Sequence, residues 1–258
     1  MTESESHEQR IQAFLSNHAF MRSFEVFDTY QQLLLAHAHD EAKQQEIRDR
    51  MKLVFHRQQE GDEPISDMAR EAGNIFDATF SLLEKGELTK EKLASIFSES
   101  LIAEQLLENW NPTPGATREK GKVMVNEVLE YFVGDKKNLV DINIVPTSVR
   151  GEEVWTKVFE GLKLLAQEID HGSLQDIQTI RAQSWLFSSP FFKEKLQPFL
   201  GEDAILEDMP EDDGDVVQVQ RLALTYHKGA MKTFLLEGKP PQVKRLQMDR
   251  KTFLEKFL

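Results

Sequence analysis

The chain has 258 residues, with 31 Lys and Arg against 44 Asp and Glu, a net charge of −13 and no cysteine. No disulfide, thiolate metal site, iron–sulfur cluster or cysteine nucleophile can be built from it. The acidic balance argues against a nucleic-acid partner, whose phosphates need compensating cations.

A hydrophobic fraction of 40% is ample for a buried core. Glycine (13) and proline (9) are sparse, which favours helices over strands. The start, MTESESHEQR, is polar and acidic, without the charged and apolar pattern of a secretory signal. No apolar run approaches the roughly 20 residues of a membrane span. The expected compartment is the cytoplasm, and a membrane surface is not an expected partner.

In chain order, Ile11, Phe14, Leu15, Phe20, Phe24, Phe27, Leu34 and Leu35 recur at three- and four-residue spacing. This predicts two amphipathic helices meeting near Ser16 and Asn17. A third helix is read through Ile47, Met51, Val54 and Phe55. Gly61-Asp62-Glu63-Pro64 is a linker, with Ser66 as cap of a helix running from Asp67 to Glu84. Thr89 to Lys92 opens the next, which reaches Trp110. Asn111-Pro112-Thr113-Pro114-Gly115 is the strongest break in the chain.

Beyond it, Met124, Val125, Val128, Leu129, Phe132 and Val133 are read as one face of a helix. Asn138 to Pro146 alternates and reads as extended. Glu152–Ile169 and Leu174–Phe187 are read as helices, and Phe191–Leu200 as a short one. Val216–Leu222 and Gln242–Met248 alternate weakly and read as a pair of short strands. The expected fold class is therefore all-α: a bundle of about 9–11 helices, with at most a minor β-hairpin near the C-terminus. The expected divisions are 1–110, 111–201, an acidic loop over 202–217 and a basic segment over 218–258.

Charge is segregated. The acidic loop holds eight carboxylates and no cation between 202 and 215, and reads as a solvated loop. From Gln218 onward nine cations stand against three acids, a net of +6, which leaves −19 on the preceding residues. Within the tail, Lys244, Arg245 and Arg250 lie beside Phe253 and Phe257, as in a partner-binding helix. A tail packed back on the acidic body fits the same charges.

Histidine and carboxylates are the remaining metal ligands. Glu168 and His171 have the Glu-x-x-His spacing of carboxylate-bridged metal bundles, which puts both on one helix face. No second copy of that motif exists, and Gly172 places His171 at a helix end, where it also serves as a terminal cation. The His-Asp pair formed by His39 and Asp40 reads as a solvated helix end. No phosphate-binding glycine loop, nucleophile elbow or His-Glu-x-x-His is present.

Three segments resemble the regulators of G-protein signalling, an all-α family. The first is Ala13-Phe14-Leu15 followed by Phe24, Phe27 and Tyr30. The second is VNEVLEYFVGDKKNLVDINIVPTSVRGE, residues 125–152, and the third is IRAQSWLFSSPFFKEKLQPFL, residues 180–200. The resemblance implies a helical domain and makes Asn143 the counterpart of the Asn that touches the switch glutamine of a G-protein α subunit. The family's Glu-Glu-Asn is replaced by Met21-Arg22-Ser23, its Trp by Phe27 and the Arg after its closing Phe-Leu by Gly201. Those losses imply the fold without the GTPase-activating contacts.

The expected function is thus a cytoplasmic regulatory or scaffold protein that binds another protein, through Asn143, Lys244, Arg245, Arg250, Phe253 and Phe257. No cofactor and no nucleic acid are expected. The rival class is a helical-bundle enzyme holding a metal or tetrapyrrole with His18, His37, Glu168 or His171.

Overall fold

The computed structural model describes residues 3–56, 67–110, 114–115, 121–134, 138–145, 149, 152–189, 192–201, 204–210 and 213–258. The Gly61–Pro64 linker, the Ser66 cap and most of the Asn111–Gly115 break lie outside them. The chain divides into two compact units. Unit 1 comprises 1–110 and 221–241; unit 2 comprises 111–220 and 242–258. The segment read as one basic tail is therefore shared between the two.

Unit 1 is helical: α1 (Glu3–Ser16), α2 (His18–Ala36), α3 (Glu41–His56), α4 (Asp67–Glu84), α5 (Lys90–Glu99) and α6 (Ala103–Trp110). Two further helices follow, α9 (Gly214–Tyr226), which crosses the unit boundary, and α10 (Lys228–Glu237). Asn17 sets the α1–α2 corner: its Oδ1 accepts from the N–H groups of Ala19 and Phe20 at 2.9 and 3.1 Å. Phe14, Phe20, Phe97 and Trp110 meet mostly edge-to-face, with centroids 5.6–6.0 Å apart where Phe14 meets the other three. The Trp110 indole donates to Tyr226 Oη at 3.0 Å, tying α6 to the end of α9.

Unit 2 overturns the all-α expectation. It contains a six-stranded mixed sheet, so the protein is α/β. The strands are β1 (Val123–Met124), β2 (Leu129–Val133), β3 (Leu139–Ile144), β4 (Thr179–Ser184), β5 (Ile205–Asp208) and β6 (Lys244–Asp249), in spatial order β1-β2-β3-β4-β6-β5. β3 and β4 are parallel and joined by the crossover helix α7 (Glu152–His171); every other neighbour is antiparallel. α8 (Gln197–Leu200) and α11 (Arg250–Phe257) complete the unit.

Three readings are corrected here. The segment from Met124 to Val133 is not helix: Met124 ends β1, Val125–Val128 form the turn, and Leu129–Val133 is β2, with Leu129, Tyr131 and Val133 on one face of the sheet. Leu174–Phe187 is a turn, then β4, then the start of a short 3-10 helix over Trp185–Ser188, and β4 needs β3 and β6 to form. Of the two segments read as a C-terminal hairpin, Val216–Leu222 lies in helix α9, while Gln242–Met248 contributes β6, an inner strand. The acidic loop also contains structure: β5 pairs with β6 from Ile205↔Gln247 to Asp208↔Lys244.

The sheet has two unlike faces. Leu129, Val140, Ile142, Ile180 and Met248 point toward α7 and α11 and form a buried core with Leu165, Ile169, Phe253 and Phe257. The alternate residues, Glu130, Asp141, Asn143, Arg181, Gln183, Arg245 and Gln247, share the other face by register. Asn126 locks α7 to the β1–β2 turn. Its Oδ1 accepts from Val128 and Leu129 N–H at 3.1 and 2.9 Å, and its Nδ2 donates to Lys157 C=O at 2.7 Å.

Candidate functional site

The site lies where the parallel pair parts. β3 and β4 stay in register from Leu139↔Thr179 to Ile142↔Ala182, yet each runs two residues further. Asn143 and Ile144 remain paired outward to Glu130 and Leu129, and Gln183 and Ser184 to Arg245 and Lys244. The two carboxyl ends therefore diverge into a cleft. In sheets with a parallel pair and a helical crossover, ligands bind outside the carboxyl ends of the strands. The Val145 N–H turns back to Val128 C=O at 3.0 Å, so the alternation of the strand aims the Ile144 N–H into the gap.

On the helix-covered side, the cleft continues into an apolar cavity of about 80 Å³. Its walls include Ile142 and Ile144 of β3, Ala182 of β4, and Trp155 and Phe159 of the first turns of α7; Phe253 and Phe257 close the far side. The other side of the sheet is polar. Glu130 is 3% exposed and its Oε1 accepts from Asn143 Nδ2 at 3.3 Å and lies 3.2 Å from Lys122 Nζ. Asp141, also buried, takes a two-point hydrogen bond from Arg181, with Nη2 to Oδ2 at 2.7 Å. The Asp141 carboxylate, joined by Asp215 and Asp213, holds the Arg181 guanidinium above its already high pKa.

The residues expected to bind a partner are scattered over this unit. Asn143 lies at the lip of the cleft with its amide on Glu130. Phe253 and Phe257 are 1% and 4% exposed, in the core beneath α7. Lys244 pairs with Asp208 at 2.9 Å, and Arg250 donates to Ile169 C=O at 3.0 Å. Arg245 projects onto the polar face. The three segments that carry the family resemblance fall in both units, and the helix implied over 125–133 is β2 with its approach.

The metal candidates do not converge. Glu168 accepts from the backbone N–H and the hydroxyl of Ser173, at 3.3 and 3.2 Å. The His171 side chain is 85% exposed, 2.9 Å from Asp170. His18 is exposed at the start of α2 and His37 caps its end. Among the described residues, no three His, Asp or Glu side chains are grouped to hold a metal ion. No described helix is long and apolar enough to cross a membrane.

Sequence reading missed Glu130, Asp141, Arg181 and Gln183. The signal available was period-two alternation, Thr179, Arg181 and Gln183 in Thr179–Ser184 and Asp141 and Asn143 in Leu139–Ile144, with Glu130 between the apolar Leu129 and the aromatic Tyr131. Compared with protein-family models, curated proteins and solved structures, the chain matches none.

Proposed function

We propose that unit 2 binds an acyl group carried on an extended, amide-bearing arm of the pantetheine kind. The arm lies in the cleft between β3 and β4 and the acyl group enters the apolar cavity. The observation that carries this reading is the parting of the parallel pair after Ile142↔Ala182 above that cavity. An arm with amides spaced along it fits between two strand ends because it can take backbone hydrogen bonds as an added strand does. A cavity of about 80 Å³ suits a short acyl group such as acetyl.

The nucleotide end of a coenzyme is not part of the reading. Glu153 lies in the first turn of α7, and a carboxylate at a helix N-terminus opposes a diphosphate there. The two buried carboxylates described on the polar side are both engaged, Glu130 facing Lys122 and Asp141 held by Arg181, so neither is poised for proton abstraction. The reading is therefore binding of an acyl carrier, with protein-level regulation as its use.

Calorimetric titration of the full chain with S-acetyl-pantetheine and with acetyl-coenzyme A tests it. Saturable binding of both at comparable affinity is expected. Ala182→Leu, which fills the cavity with apolar volume, weakens both at least about tenfold while leaving the fold intact. Absence of binding to either ligand overturns the reading.

A further inference from the structure

Arg245 stands apart from the other cations of the polar face. It is in register with Gln183 on β4 and Glu207 on β5. Arg181 has Asp141 and Lys122 has Glu130. Arg245 has no such partner: its Nε is buried without an acceptor, and its guanidinium forms no hydrogen bond or ion pair with any described residue. The side-chain amide of Gln183, its cross-strand neighbour, makes no hydrogen bond either.

A buried guanidinium N–H without an acceptor is unfavourable, and Arg does not relieve it by losing a proton. Its planar fork matches a carboxylate through two parallel N–H donors. The position is the polar lip of the cleft, where Gln183 has left its parallel partner. Glu130 and Asp141 on this face are offset by Lys122 and Arg181, whereas Glu207, in register with Arg245, is not, and its charge disfavours a dianion such as phosphate while tolerating a single negative charge.

We propose that Arg245, with the Gln183 amide beside it, forms a binding site for the carboxylate of a small organic acid on the polar side of the cleft. The site is separate from the apolar cavity and does not depend on an acyl group being bound there.

The test follows the arginine Nε–H resonances of the full-length ¹⁵N-labelled protein during addition of acetate at constant ionic strength, with chloride as the control. The signal missing from Arg245→Lys shifts saturably with acetate, and inorganic phosphate leaves it in place. Gln183→Ala weakens the acetate response severalfold. The remaining backbone resonances of each variant report whether it is folded. No shift beyond the chloride control overturns the site, and an equal response to phosphate overturns the carboxylate assignment. Binding of S-acetyl-pantetheine is read separately by calorimetry, so failure of either proposal leaves the other distinguishable.

Discussion

In the helical unit, burial is achieved by rings. Phe14 touches Phe20, Phe97 and Trp110, and each belongs to a different helix turn whose apolar spacing is visible in a short window of sequence. In the sheet unit, burial depends on partners far along the chain: β4 is completed by β6, whose paired residues lie 60 to 70 positions away. The first arrangement is written locally and tolerates polar outer faces. The second uses the same apolar residues at a period of two, and its meaning exists only once the neighbouring strand is in place. The sheet unit also holds the cleft, because only a sheet can open between two of its strands.

The largest effect expected is in the ring cluster. Phe14→Ala removes a fully buried ring from among three others and should destabilise the protein by about 3–5 kcal/mol. Urea unfolding followed by far-ultraviolet circular dichroism measures this. A loss under about 1 kcal/mol would mean that the cluster collapses around the gap, and that the rings are not what holds the helical unit.

Next is the single amide that ties helix to sheet. Asn126→Ala leaves the N–H groups of Val128 and Leu129 and the C=O of Lys157 without their partner, in a position 6% exposed. A loss of about 2–3 kcal/mol is expected, with Asn126→Asp recovering part of it because Oδ1 is retained. If the effect stays at the level of a surface substitution, the crossover helix is held by apolar contact alone.

Close approach of backbone gives a smaller effect of the same kind. A Cβ on Gly161 of α7 meets Asn126 Nδ2 and Leu129 Cβ at 3.0 Å, so Gly161→Ala forces the helix away from β2. A net loss of about 1 kcal/mol is expected despite the better helix propensity of alanine. Stabilisation instead would show that α7 has room to shift on the sheet.

These contrasts explain what was legible in the sequence. The helices over Phe14–Leu35, Asp67–Glu84 and Glu152–Ile169 announce themselves by spacing, and β3 by the alternation in Asn138–Pro146. Met124–Val133 misleads because Val125, Val128, Leu129 and Phe132 satisfy a helical template as well as a strand one, and a template cannot see β1 and β3. The β-branched and aromatic content of that run, Val125, Val128, Tyr131, Phe132 and Val133, was the discriminating sign. The cleft was not legible at all. It depends on where two strands stop pairing, and neither Ile142 nor Ala182 marks that point in the sequence. Arg245 was picked out for its charge, but its significance arises from lacking a partner, a property of the folded arrangement.

The smallest expected effect concerns a helix cap in the helical unit, and it is read by pH. His227 precedes α10, and its Nδ1 accepts from Ala230 N–H at 3.0 Å, the job usually done by Asn, Asp or Ser. Burial is the main cause that lowers its pKa below the ordinary histidine value, and the Arg22 and Lys228 charges add to it. Lys228 itself lies 3.7 Å from Glu25. A depressed folded pKa means that the unfolded chain binds the proton more readily. The contribution is fully present above the unfolded value near 6.5 and fades as pH falls below it toward the lower folded value. Protonation also turns the capping acceptor into a donor. His227→Asn keeps an acceptor at the cap and removes the titration, so the variant should match the parent at pH 7 and exceed it at pH 5 in thermal melts. Equal pH dependence of the two proteins would assign the acid sensitivity to other groups and leave the His227 cap as geometry alone.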